Sequence, residues 1–503
     1  MKLLQDINKL LFALSILLST LSITSCRKLV EAPIPSESIA DENVYSTDAT
    51  SIAVLDGIYI SMNANYQPFQ GAMSINLLAG LSADELTLYS GYIGSENLFN
   101  NYYINRLTQA QGGLPAGAEQ WSPLYNYVFR CNAAIEGLNK SSSLTPTSKQ
   151  QLLGEAKFLR AFYYFYLVNL FGDVPMAITT DPELNTKLIR STKVDVYKQI
   201  VTDLKEAEEL LSDNFLDGTL SSTTTERVRP TKWAASALLA RVYLYTNDFV
   251  NAEDRSTAVI NNTSLFGPLP SLNDAFLKNS REAIWQLQPT DIDLNTTEAQ
   301  TLVLTALGPG YGNPVYLSNQ WLNNFETGDQ RKELGNWVNS SIYNVTGTTL
   351  DTVYYCNKYK VNTSPGITTT NDMSEYFMML RVGEQYLIRS EARARLGNIS
   401  GAQDDLNTIR KRAGLPNTAA ADETALVIDI LHERQVELFC EWGNRWFDLK
   451  RTNNIDAVMA VATPLKSNGA TTWQSYQKLY PLPYSDLFIN NVPNPYLTQN
   501  IGY

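Results

Sequence analysis

Residues 232–261 read KWAASALLARVYLYTNDFVNAEDRSTAVIN, and this stretch decides the fold class. Leu239, Ala240 and Tyr243 stand at the spacing L-(G/A)-x-x-Y. A short Asn247-Asp248 turn follows, and a second helix opens with Ala252. Small residues where two helices cross let the backbones approach, and larger ones fill the gaps, which is how a tetratricopeptide hairpin is written. Residues 384–414, EQYLIRSEARARLGNISGAQDDLNTIRKRAG, repeat the plan around a Gly397-Asn398 turn and Ala402. Residues 194–212, VDVYKQIVTDLKEAEELLS, supply a further helix.

Working outward, residues 149–171 place Ala156, Leu159, Tyr163, Tyr166, Leu167 and Leu170 on one helical stripe. Gly172 and Pro175 then end it, so an amphipathic helix is expected. Three stretches, 63–117, 263–372 and 453–498, are rich in Gly, Pro, Asn, Thr and Tyr and do not follow the helical period. They carry short strand-like runs at 282–288 (EAIWQLQ) and 352–359 (TVYYCNKY). The expected fold is therefore mainly α, a tetratricopeptide-like helical repeat scaffold with long irregular loops and a few short strands. Loops this long in a folded chain usually carry function.

The composition narrows what that function is. Hydrophobic residues make up 44% of the 503, enough for a sizeable core, while only 18% are charged and 28 are tyrosine. A surface of amides, hydroxyls and aromatic rings suits neutral polar ligands. Lysine plus arginine number 39 against 51 acids, a net charge of -12, and no basic run interrupts that balance; nucleic acid is a poor partner. His432 is the only histidine, which removes most zinc and Ser-His-Asp constellations.

At the N-terminus, Lys2 and Lys9 precede an apolar stretch from Leu10 to about Leu21, too short and interrupted to span a membrane. It ends in Ile23-Thr24-Ser25-Cys26, which resembles the box of bacterial lipoproteins, where the cysteine is lipidated and becomes the new N-terminus. Cys26 is the expected lipidation site, and several acyl chains there would tether the chain to a membrane. Cys131, Cys356 and Cys440 have no C-x-x-C spacing and read as small buried residues.

Several motifs then fall in a recognisable order. Cys26 is followed by RKLVEAP (27–33), SIAVLDGIY (51–59), RCNAAIEGLN (130–139) and EAKFLRAFYYFYLVNLFGDVP (155–175). ERQVELFCEWGNRWFDLKR (433–451), YPLPYSDL (480–487) and NPYLTQNIGY (494–503) complete the series. Over essentially the whole mature chain this resembles the RagB/SusD family of outer-membrane lipoproteins of the Bacteroidetes. The resemblance implies a tetratricopeptide-based α-helical fold on the cell surface. It also implies a lid over a TonB-dependent, SusC-like transporter that captures nutrients, most often glycans, and it implies binding, not catalysis. The expected organisation is a lipoprotein signal peptide at 1–25, a tether at 26–46, and a single domain at 47–503 with parts of about 47–262 and 263–503. Acidic residues often follow the lipidated cysteine in such surface proteins; here Arg27 and Lys28 come first and Glu31 later.

Residues 432–454, HERQVELFCEWGNRWFDLKRTNN, concentrate acids, arginines and tryptophans. On a continuous helix Val427, Leu431, Leu438 and Trp442 form one stripe. Glu433, Glu437 and Glu441 recur every fourth residue on another, with Arg445 a turn beyond. Like charges one turn apart call for cations, and Arg445, Arg389, Arg393, Arg395 and Arg160 are the candidates. One turn sets the Cα atoms of Glu437 and Glu441 about 6 Å apart, near the carboxylate separation of about 5 to 5.5 Å in retaining glycosidases. Any E-x-x-x-E satisfies that spacing, and helical carboxylates far more often pair with cations. The stretch reads as a clamp between helices, with Trp442 and Trp446 as packing. Trp121, Trp233 and Trp285 read as core.

Sugars offer hydroxyls to amides and acids, and C–H faces to aromatic rings. Residues 81–103 supply Asp84, Tyr89, Tyr92 and Asn97, and residues 307–321 supply Tyr311, Asn313 and Tyr316, both among glycines. Asp84, Tyr89, Tyr92, Asn97, Tyr311 and Asn313 are the candidate ligand-binding residues, with an oligosaccharide as the expected ligand. Capture of peptides on the same architecture, a helical glycoside hydrolase and a pure protein adaptor are the alternatives. No catalytic residue and no cofactor is expected. Asp291, Asp293 and Asn295 begin like a calcium loop. Thr296 and Leu302 stand where glycine and glutamate are needed, so no metal site is expected either.

Overall fold

The structure is a computed structural model describing residues 44–64, 68–94, 97–108, 116–291, 295–344, 350–362, 372–489 and 491–503. The expected signal segment, Cys26 and the tether up to residue 43 lie outside the described residues. In chain order the main helices begin with α1 (Asp48–Met62), α2 (Ile75–Ser82), α3 (Trp121–Lys140), α4 (Pro146–Phe171) and α5 (Lys193–Leu210). They continue with α6 (Lys232–Tyr245), α7 (Phe249–Asn261), α8 (Thr297–Leu302), α9 (Val382–Arg395) and α10 (Ile399–Arg412). The last are α11 (Glu423–Glu437), α12 (Asn444–Arg451) and α13 (Ile455–Lys466). The main strands are β1 (Leu86–Leu88), β2 (Ala283–Leu287), β3 (Val315–Leu317), β4 (Val338–Asn344), β5 (Leu350–Cys356) and β6 (Phe377–Arg381).

The two hairpins read from the sequence share one turn design. After α6, Asn247 takes φ 58° and Asp248 caps α7 by accepting the N–H of Asn251. After α9, Gly397 takes φ 80° and Asn398 caps α10 by accepting the N–H of Gly401. In each, the capping residue's own N–H returns to the carbonyl five residues back, Asp248 to Tyr243 and Asn398 to Arg393. Ala240, Ala252 and Ala402 are fully buried, as close crossing requires. Successive helices pack in a chain: α3 on α4, α4 on α5, α5 on α6, α6 on α7, α7 on α9, α9 on α10, and α11 on both of the last. Buried bidentate pairs bolt neighbours together, Arg160 to Asp203 between α4 and α5, Arg241 to Glu384 between α6 and α9, and Arg389 to Asp405 between α9 and α10.

Helix α4 differs from its expectation. The predicted stripe is buried, but Phe158, Phe162 and Phe165 on the other faces are buried as well. A helix apolar on all sides belongs inside, and α4 is the central post of the molecule, not an amphipathic surface helix. One hydrophobic cluster runs from Ile52 in α1 to Leu487, so the earlier and later parts of the chain share a core. Trp121 and Trp285 lie in it. Trp233 does not: it is half-buried, its indole N–H donates to Asp213 O at 3.0 Å, and Lys232 sits 4.5 Å from its ring centre. The free thiols of Cys131, Cys356 and Cys440 are buried.

The run at 282–288 contains β2, and the run at 352–359 overlaps β5. β2 pairs antiparallel with β6, and β4 with β5 as a hairpin. The irregular stretch 453–498 also holds a helix, α13, whose twelve residues begin directly after the Asn453-Asn454 turn. Among the described residues no helix is long and apolar enough to cross a membrane.

Candidate ligand-binding site

The two tyrosine-bearing loops meet because short strands beside them pair. β1 and β3 run antiparallel with Leu86 opposite Leu317 and Leu88 opposite Val315, and the Tyr89 N–H donates to Pro314 O at 2.7 Å. The chain then leaves both strands on the same side, which puts Tyr89 and Tyr92 beside Tyr311. Ring centres lie 5.4 Å apart for Tyr89 and Tyr311, 5.0 Å for Tyr92 and Tyr311, and 6.3 Å for Tyr89 and Tyr92, all edge to face. Tyr311 is 68% exposed, so a ring face remains for a ligand. Gly91 makes the cluster possible: a β-carbon there would lie 2.5 Å from the Tyr89 ring and 3.2 Å from the Tyr311 hydroxyl. Tyr343 of β4 backs the cluster, its ring 6.2 Å from that of Tyr89. The hydrogen bond between Tyr89 and Tyr343 raises the Tyr89 pKa, and partial burial raises that of Tyr92, so both phenols stay neutral.

Beside the tyrosines opens a cleft of about 440 Å³. Tyr311, Gly312 and Asn313 form one end, the turn Gln70–Ala72 and α8 form the sides, and Thr305 and Asn362 complete the lining. No lining side chain is charged. The cleft offers amides, hydroxyls and one exposed ring, a chemistry that matches sugar hydroxyls and C–H faces.

The other candidate residues have different duties. Asp84 is not available to a ligand: both oxygens accept from Arg445, at 2.8 Å each, from 361 residues away. Burial pushes its carboxyl up, and the hydrogen bonds and charge of Arg445 more than reverse this, leaving it below the usual range. Asn97 caps the short helix Leu98–Tyr103 by accepting the Phe99 N–H. Asn313 lines the cleft, but its amide nitrogen is committed to the carbonyls of Gln300, Thr301 and Val303, where it holds the end of α8. Tyr316, half-buried, sits within β3. Gln70, Thr301 and Asn362 also line the cleft and were not among the expected residues; no local sequence signal marks them. Asp293 lies outside the described residues, and Asn295 accepts the N–H groups of Ser374 and Glu375.

The acidic stretch 432–454 is not one helix. α11 ends at Glu437. Cys440, Trp442 and Gly443 then take φ of 51°, 55° and 68°, and α12 starts afresh at Asn444. Glu441 therefore does not face Arg445, and Arg160, Arg389, Arg393 and Arg395 are engaged elsewhere. The cations come from loops, the strand β6 and the end of α10. Arg331 reaches Glu433 at 2.6 Å and Glu437 at 2.9 Å; Arg381 reaches Glu437 and Glu441 at 2.7 Å each; Arg412 binds Glu437, and Lys358 binds Glu441. Glu433 and Glu437 are fully buried, Glu441 is mostly so, and all three are ion-paired. His432 contacts the backbone carbonyl of Asn324 at 2.8 Å. Trp442 and Trp446 are buried, in keeping with packing roles.

Residues 35–244 match the family model described as starch-binding associating with outer membrane, and residues 280–503 match that of the SusD family. SusD-like protein P38 of Formosa agariphila is 26% identical over 541 aligned positions, covering 97% of this chain and 98% of that one. Among solved structures, a laminarin-binding SusD-like protein aligns with a TM-score of 0.70 at 21% identity, over 91% of this chain and 100% of the other. Surface glycan-binding protein A from Bacteroides fluxus aligns with a TM-score of 0.69 at 20% identity, over 91% and 100%. These structures agree with the helical repeat architecture, and the two adjoining family models account for most of the sequence. The chain is a member of the SusD/RagB family.

Proposed function

We propose that this protein captures neutral oligosaccharides at the cell surface, held to the outer membrane by lipid on Cys26. It then passes them to a SusC-like TonB-dependent transporter. The observation that carries the reading is the convergence of Tyr89, Tyr92 and Tyr311 from two loops beside a cleft without a charged side chain. Aromatic faces bind the apolar side of a sugar ring and neutral amides its hydroxyls; an anionic ligand would find no cation in the lining. Family membership supports the same reading, as do the relatives named for laminarin and surface glycans. On this reading the protein binds its ligand and leaves it intact; in support, the carboxylates of Glu433, Glu437 and Glu441 are locked in ion pairs and none of them lines the cleft.

Each stacked ring contributes about 1 kcal/mol, so an affinity in the micromolar to millimolar range is expected. That is strong enough to capture and weak enough to release. Calorimetry against neutral glycans, anionic glycans and peptides tests the ligand class. Neutral glycans should bind and the others should not; binding of peptides alone would overturn the proposal. Cell fractionation of Cys26→Ala tests the anchor. The variant should leave the membrane fraction, and full retention there would contradict the lipid tether.

A further inference from the structure

Beneath the cleft lies a buried carboxylate that the tyrosines do not touch. Glu298 is 1% exposed and sits in the first turn of α8. One oxygen, Oε2, accepts the backbone N–H of Gly71 at 3.0 Å, and Oε1 accepts the side-chain amide of Asn76 from α2. Gly71 belongs to one wall of the cleft, and Thr297, Gln300 and Thr301 of α8 to the other. Gly71 has φ +75°, and a β-carbon on it would lie 2.7 Å from Thr297 Cγ2, so the walls are already in contact at the floor. Asn313 secures the opposite end of α8 through the carbonyls described above. Among the described residues, Glu298 is thus the side chain that ties the Gly71 turn, α2 and α8 together by hydrogen bonds.

We propose that Glu298 is the positioning residue of this cleft: its carboxylate draws the Gly71 turn onto α8 and so fixes the floor and width of the space that receives the ligand. This rests on the reading of the cleft as the ligand site.

The chemistry around Glu298 makes the clasp sensitive to protons. Burial pushes its carboxyl up to about 7, with only the Asn76 and Gly71 hydrogen bonds pulling the other way. Among the described residues no lysine or arginine offsets its charge. Tyr359 is the titratable neighbour that feels it, and that buried phenol stays protonated. Asn76 Oδ1 is buried without a hydrogen-bond partner. When Glu298 takes a proton, its new O–H has an acceptor there once the amide turns over. The clasp therefore survives protonation, and because burial raises the carboxyl, the closed clasp favours the neutral acid over the ionised one. The cleft is held more firmly below neutral pH than above it, where the ionised carboxylate gains by reaching water.

Two measurements on the full chain test this, with Glu298→Gln and Glu298→Ala alongside. In calorimetry with whichever neutral oligosaccharide binds, wild-type affinity should fall several-fold as pH rises through about 7. Glu298→Gln, which mimics the neutral acid, should give a flat profile at the wild type's low-pH value. In hydrogen exchange, the peptide containing Gly71 should lose protection in Glu298→Ala and keep most of it in Glu298→Gln. A Gln variant that retains the wild-type pH profile, or an Ala variant with unchanged exchange at Gly71, overturns the proposal. If Glu298→Ala does not fold, the Gln profile decides. If no oligosaccharide binds the wild type at any pH, the functional proposal fails while the exchange at Gly71 still judges the clasp.

Discussion

Glu437 receives three guanidinium groups, from Arg331, Arg381 and Arg412, in a site closed to solvent. Replacing it by alanine removes the counter-charge the three cations share, leaving Arg331 to Asp329 and Glu433, Arg381 to Glu282 and Glu441, and Arg412 to Glu282. Breaking a buried pair in this way typically costs about 3 to 5 kcal/mol. Urea denaturation of Glu437→Ala should show a loss of this size, while ligand affinity in the protein that remains folded stays unchanged. Burial alone would raise the Glu437 carboxyl, but the charges of Arg412, Arg381 and Arg331 outweigh it and hold it well below the usual range. A folded-state pKa below the unfolded one means the stabilisation is complete above the ordinary glutamate pKa and is lost as pH falls through the folded value. Glu298 behaves in the opposite sense: with a folded value of about 7 against 4.5, its contribution falls as pH rises between the two. The sequence showed that Glu433, Glu437 and Glu441 needed cations, because like charges in a row always do. It did not show which cations, since Arg331 and Arg381 are brought in by loops and strands whose course no local pattern encodes. The pairing of Asp84 with Arg445 was hidden for the same reason: nothing near Asp84 in sequence announces it.

At the scale of elements, the helical hairpins were legible because their determinants are local. Small residues at the crossings, a residue in the left-handed region and a capping Asp or Asn lie within a few positions of one another. Asp248→Ala and Asn398→Ala should each lower stability by about 1 kcal/mol, the usual value of an N-cap, with helix content almost unchanged. Thermal denaturation followed by circular dichroism measures it, and a cost near zero in both would mean the turns are held by packing alone. The continuous helix expected over 432–454 was wrong because a four-residue spacing of acids persists across a real break. The informative residue was Gly443, which takes φ 68° between α11 and α12. The meeting of the two tyrosine loops depends on three paired residues in β1 and β3, too short a match to read without the structure. Residue types were legible there: Tyr89, Tyr92 and Tyr311 were chosen from aromatic and glycine content, and they do converge.

As a whole, the molecule sets a helical post in one large core, with a smaller core among α9, α10 and α11, beneath loops that present rings and amides. Low charge density and a net charge of -12 already pointed away from polyanions, and the cleft without charged groups agrees with that. The fold was legible at this scale because repeats and family motifs run the length of the chain. The cleft was not, because its walls come from the Gln70–Ala72 turn, α8 and the 305–313 loop, which long-range packing and the hydrogen bonds of Glu298 and Asn313 bring together. The central claim is that the tyrosine cluster beside this cleft holds a neutral glycan. The most direct measurement is calorimetric titration of the tightest-binding neutral oligosaccharide into wild type and into the combined Tyr89→Ala, Tyr92→Ala and Tyr311→Ala variant, with melting temperatures compared. At about 1 kcal/mol per ring, the variant should bind roughly a hundredfold more weakly while melting within a few degrees of wild type. Wild-type affinity in a folded triple variant would contradict the account and place the glycan elsewhere on the protein.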